Sequence, residues 1–283
     1  MVKRKGLLIV QLHRTVKEKR MAGLIMCVLI SFLAVVSFLN GHGDWKNVRL
    51  TVVVNGCEVQ TPEERLLTEL NLAVDSYINI GQRLKTAPYY TNETALEAVL
   101  YYDATIEAAA EKYGIDKAML QSVLFQELRF YGMEDPVADL YVLSSYRYGH
   151  QQEEHGKPQN MAFCRLDSST GMGQVFAKTA IKAHNWKYDT TYNLNDWKDL
   201  ELFWMYLQED EQNIDTVALV LAYTMNEQEV SGKLSLAETE AVMARYNGTG
   251  VWAAKYGQVT IQYFQAFEEY NQMIDESIEF DYD

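Results

Sequence analysis

Nineteen consecutive residues, Met21 to Leu39, carry no charge and nothing more polar than Ser31 and Ser37. As a helix they rise about 28 Å, close to the ~30 Å hydrocarbon core of a bilayer. The segment therefore reads as one membrane-spanning helix. Lys17, Lys19 and Arg20 stand directly before it, and the cytoplasmic bias of basic residues keeps residues 1–20 inside and sends 40–283 across the membrane. The alternative is a secretory signal cleaved near Val35 and Ser37, which would release the body as a secreted protein. The long basic leader and the lack of an A-x-A pattern favour the retained anchor.

Charge divides along the same line. The chain has 25 Lys and Arg against 39 Asp and Glu, a net of −14, and residues 1–20 hold seven of the bases and one of the acids. Residues 21–283 are left with 18 bases and 38 acids, a net of −20. A body this acidic repels phosphate backbones, so nucleic acid is not expected as a partner. With 48% hydrophobic residues and four prolines, it is not a disordered chain either.

Cys27 lies in the apolar segment, leaving Cys57 and Cys164 as the one possible pair outside it. An oxidising compartment permits a disulfide between them, but sequence does not fix their separation, and two unpaired thiols are the alternative. The five histidines are scattered. Only His150 and His155 could share a metal, and solvated loop histidines are the better reading, so no metal or organic cofactor is expected.

Past the anchor the pattern is mainly α. Asn47 to Val59 is rich in β-branched residues and contains Asn55-Gly56, a hairpin signal. From Thr61 the pattern turns helical: Thr61 as N-cap, Pro62 at the first position and Glu63 and Glu64 in the first turn open a helix expected to run to about Leu84. Lys85 to Thr91 is a break, and Asn92 can cap the next helix. The organisation is thus a basic segment 1–20, an anchor 21–39, a β-hairpin and helical lead-in 40–95, a helical domain 96–272 with a long insert 129–167, and an acidic tail 273–283.

Chemistry concentrates after Gly114, which closes one helix just before Asp116 caps the next. Met119, Leu120, Val123 and Leu124 have the spacing of a core-facing stripe, and Glu127, four residues after Val123, falls on that face. A carboxylate in apolar surroundings tends to keep its proton, the property a general acid for glycosidic cleavage requires. The plain alternative is that Glu127 lies at the edge of the stripe and pairs with Arg129 or Lys182.

Three further stretches follow in order: the run Ser168-Ser169-Thr170-Gly171-Met172-Gly173-Gln174-Val175, Thr179-Ala180 five residues beyond Gln174, and Ala244-Arg245-Tyr246-Asn247-Gly248. With the helix ending Gln126-Glu127, this order resembles the lysozyme-like lytic transglycosylase family, of the soluble lytic transglycosylase type, over about Ile106 to Phe267. The resemblance implies a lysozyme-like helical domain with Glu127 catalytic. It implies that Ser168, Ser169, Gly171, Gly173, Gln174, Tyr246 and Asn247 bind peptidoglycan glycan strands, with Tyr246 close to Glu127. Gly171 and Gly173 let backbone approach a sugar, and Gln174 offers an amide donor and acceptor. The turn also reads as an ordinary loop before a helix, and Tyr246-Asn247-Gly248 as a helix C-cap.

The implied reaction cleaves the MurNAc–GlcNAc bond with one carboxylate acting first as acid and then as base, leaving 1,6-anhydro-MurNAc ends. A hydrolytic lysozyme would need a second carboxylate, for which Glu134, Asp135, Asp139 and Asp167 are available, although Asp167 reads as a turn or cap residue. A non-catalytic wall-binding or scaffolding protein is the third reading. Two positions depart from the family pattern: Leu128 follows Glu127 where Ser is usual, and Gly173 precedes Gln174 where Met is usual. The insert 129–167 reads as a cleft wall, lid or partner surface. No motif specifies an envelope protein partner, and the acidity predicts weak wall affinity once residues 1–44 are removed.

Overall fold

The structure is a computed structural model that describes residues 8–12, 50–54, 57–79, 89–157, 161 and 163–279. The chain divides into two compact units, Met1–Arg65 and Leu66–Asp283. In the first, the described backbone contains strands β1 (Leu8–Leu12), β2 (Leu50–Val54) and β3 (Cys57–Val59). β2 runs parallel to β1 and antiparallel to β3, with Val52 opposite Val59. The expected turn residues 55 and 56 and the apolar segment 21–39 lie outside the described residues. Among the described residues no helix is long and apolar enough to cross a membrane.

The rest is helical. In chain order the helices are α1 (Pro62–Asn79), α2 (Asn92–Tyr101), α3 (Asp103–Tyr113), α4 (Lys117–Phe130), α5 (Glu134–Glu154), α6 (Ala177–Tyr188), α7 (Trp197–Tyr206), α8 (Asp210–Glu227), α9 (Leu236–Tyr246) and α10 (Val251–Glu279). Their ends follow local chemistry. Thr61 and Glu64 form a reciprocal capping box at the start of α1. Gly114 takes the left-handed conformation, φ 67°, that ends α3, and the Asp116 carboxylate accepts the Ala118 N–H to start α4. The α2 cap is Thr91, one residue before the expected Asn92. Thr91 and Thr94 satisfy each other's backbone N–H, while the Asn92 side chain bonds Asn71. Residues 80–84, expected to continue α1, lie outside the described residues.

Packing makes α4 the axis of the second unit. It touches α2, α3, α8, α9 and α10, and every residue from Ala118 to Arg129 is buried. The stripe read from sequence is therefore one side of a helix covered on all sides. Phe125 meets the Tyr263 and Phe267 rings edge-on at 5.0 and 6.2 Å, joining α4 to α10. The lead-in belongs to the same core, since Leu66, Leu70 and Val74 of α1 and Leu96 and Val99 of α2 are buried in it. At the other end, α10 continues to Glu279, and Met273 and Ile274 pack on the core. Much of the expected acidic tail is thus helix, because apolar side chains recur among its acids.

Candidate active site

Glu127 lies in the last turn of α4 with 7% of its surface exposed. The hydroxyl of Tyr256, in the second turn of α10, donates to its Oε1 at 2.7 Å. Burial, and next the charge of Glu127, push the Tyr256 hydroxyl far above the ordinary range for tyrosine, so it stays a donor. Arg129, one of the two partners named in the plain alternative, instead donates to the carbonyl of Tyr90.

The second wall is the turn between α5 and α6. Thr170 and Val175 exchange backbone hydrogen bonds at 3.1 Å, closing a loop over Gly171–Gln174. Gly171 and Gln174 are both left-handed, at φ 71° and 49°. The glycines answer to the interior: a Cβ on Gly171 would meet Asn213 Nδ2 at 2.0 Å, and one on Gly173 would meet Val217 Cγ2 at 2.0 Å. They admit α8 to the back of the turn. Asn213, fully buried, accepts the Gly173 N–H at 2.8 Å and donates to the carbonyls of Thr170 and Leu207, each at 3.0 Å. Tyr246, at the end of α9, donates to the Gly173 carbonyl at 2.6 Å.

The segment 129–167 braces this turn from outside. Its main element is α5, whose Asp139 accepts the hydroxyls of Ser168 at 2.9 Å and Thr170 at 3.0 Å. Burial pushes the Asp139 carboxyl up, against those two hydroxyls, which lower it. Asp167 caps α6 by accepting the N–H groups of Ala177 and Lys178. It is a structural cap, as its position before Ser168 suggested. His150 bonds Glu201, and no group of three His, Cys, Asp or Glu among the described residues could hold a metal. Cys164 is a free, half-buried thiol.

Between these walls opens a cleft of about 570 Å³. Glu127, Ser169, Gln174, Tyr246 and Asn247 all line it, so five of the eight expected site residues converge. Ser168, Gly171 and Gly173 do not. Ser168 is buried between Asp139 and the indole N–H of Trp204, and the two glycines turn toward α8. Gln174 is partly engaged within the turn, its amide donating to the Gly171 carbonyl and its oxygen accepting from Ser169. One amide hydrogen and further acceptor capacity remain.

Sequence reasoning missed Tyr256, Asn213 and the cleft aromatics Phe176 and Trp252. The signal for Tyr256 was present, since it opens the buried series Tyr256, Val259, Tyr263, Phe267 and Tyr270, and a buried tyrosine hydroxyl requires a partner. Leu128, after Glu127, and Met172, before Gly173, are both buried in the core. Chemically, the arrangement can bring a proton from Glu127 to an oxygen of a ligand in the cleft, with Phe176 and Trp252 exposed on the walls as stacking surfaces. Comparison with protein-family models gives no match, and neither curated proteins nor solved structures yield one.

Proposed function

We propose that the chain is a peptidoglycan lytic transglycosylase. The observation that carries this reading is a buried carboxyl, Glu127, bonded by a tyrosine hydroxyl and lining an open cleft together with Gln174, Ser169, Tyr246 and Asn247. As the acid, Glu127 gives its proton to the oxygen joining MurNAc to GlcNAc, and the C1–O bond breaks. As the carboxylate it then takes the proton of the MurNAc 6-hydroxyl while O6 bonds to C1, closing the 1,6-anhydro ring and restoring the acid. No water enters the product.

Cell-wall glycan digested with the full chain should yield muropeptides ending in 1,6-anhydro-MurNAc, read by mass spectrometry. A hydrolytic reading is favoured by one observation, that Asp135 lines the same cleft and is buried. It predicts reducing ends, one water heavier. A wall-binding protein with a spent site predicts pelleting with wall and no soluble product. Tyr256→Phe keeps the ring in place and removes the bond to Glu127, so kcat is expected to fall about tenfold to a hundredfold with KM nearly unchanged. A proportional rise in KM would instead place Tyr256 in sugar binding.

The same reading includes the membrane anchor. A single span at 21–39 puts residues 8–12 and 50–54 on opposite faces of the bilayer, which dissolves the pairing of β1 with β2. Energetics favour the span: eleven Leu, Ile, Val and Phe in that segment are worth about 5 kcal/mol on insertion, whereas pairing of such short strands is marginal in water. The domain is then held outside the cytoplasm beside its substrate.

A further inference from the structure

One charged side chain in the cleft differs from the rest. Glu127 accepts from Tyr256, Asp135 accepts the Gly132 N–H at 2.6 Å, and Glu227 pairs with Arg245 at 3.1 Å and accepts the Tyr223 hydroxyl at 2.9 Å. Lys182, also lining the cleft, has no hydrogen-bond or ion-pair partner among the described residues. It stands on α6 one turn beyond Thr179, which lines the cleft too, on the side that carries Phe176 and Gln174. Lys112, Lys117 and Lys198 meet carboxylates at 2.7, 2.8 and 2.6 Å, whereas Lys182 is exposed in the cleft. An ammonium that faces the cleft and meets none is matched to an anion that arrives with the ligand.

We infer that Lys182 pairs with a carboxylate carried by the muramic acid substituent of the substrate. This rests on the reading of the cleft as a glycan site. The O3 lactyl group of muramic acid ends in a carboxyl that is either free or joined through an amide to a stem peptide, whose own carboxylates are then the nearest anions. Either source presents the same chemistry to the ammonium. If the lactyl carboxylate is the partner, the protein acts on strands already stripped of peptide, and an amide-hydrolysing reaction must come before it. Asp135 and Glu227 in the same cleft disfavour a further acid, so a single carboxylate close to Lys182 is selected for position as well as sign.

The test uses the full chain in detergent carrying Glu127→Gln, so that ligands persist, and calorimetry with three probes. These are the (GlcNAc–MurNAc)₂ tetrasaccharide as free acid, its lactyl carboxamide, and the same glycan bearing L-Ala–D-Glu on each lactyl group. The free acid is expected to bind about twofold to fivefold more tightly than the carboxamide, the range of an exposed ion pair. Adding Lys182→Met should erase the difference and Lys182→Arg should restore most of it. A dipeptide probe that behaves like the carboxamide identifies the lactyl carboxylate, and one that matches the free acid identifies the stem. Equal binding of all three probes, a preference that survives Lys182→Met, or no binding by any probe overturns the inference. Anhydro products without a carboxylate preference leave the transglycosylase reading standing alone. A carboxylate preference without anhydro products leaves the pairing and removes that reaction.

Discussion

Glu127→Gln is expected to lower the release of anhydro muropeptides by about 10³-fold or more, because one group serves both proton transfers and each is worth about 10² to 10⁴. The substitution isolates chemistry from architecture. Glutamine has nearly the same volume, and its Oε1 can still accept the Tyr256 hydroxyl that now reaches the carboxylate at 2.7 Å. What it lacks is an acidic proton. Glu127 is 7% exposed, and an amide costs less to bury than a charged carboxylate, so the melting temperature should stay level or rise by a few degrees. Release within tenfold of wild type would remove Glu127 from the mechanism and move attention to Asp135, the other buried carboxyl in the cleft.

The parts of this site that sequence announced are those whose causes are local. Gly114 and Asp116 delimit α4 because a left-handed cap and an Asx cap act within a few residues. Asp167 reads as a turn or cap residue, but the helix it caps begins ten residues further on, at Ala177. The Asn92 expectation failed by one position since Asn and Thr both make caps, and Thr94 decides in favour of Thr91.

Illegible features depend on residues far along the chain. The 3–4 spacing placed Glu127 correctly in the interior, yet nothing in it revealed that Gln121, Ser122 and Arg129 are buried as well. Their partners include Asn271 for Gln121 and Tyr90 for Arg129, which no window on α4 contains. Gly171 and Gly173 were read as making room for a sugar, whereas the space they leave is filled by Asn213 and Val217 of α8. Glycine signals a close approach without saying which neighbour approaches.

That substitution of a packing cause for a binding cause makes Asn213 the second strong test. Asn213→Ala is expected to destabilise the domain by about 3–4 kcal/mol, since one buried N–H and two buried carbonyls lose a partner at about 1–3 kcal/mol each, with entering water recovering part of the loss. For a unit of this size that corresponds to roughly 8–12 °C in melting temperature. Asn213→Asp should be worse than alanine, because a carboxylate oxygen would replace the donor that now faces the carbonyls of Thr170 and Leu207. Activity should follow stability in a particular way. The Gly173 N–H is held by Asn213 and the Gly173 carbonyl by Tyr246, so releasing one of the two peptide groups that flank Gly173 frees the turn that presents Gln174 to the cleft. At a temperature where Asn213→Ala is still folded, kcat/KM should drop at least about tenfold, mostly through KM, while Tyr256→Phe leaves KM alone. A melting shift under about 3 °C, or full activity in the folded variant, would mean that the turn holds its shape without α8 and that the glycines answer to the ligand after all.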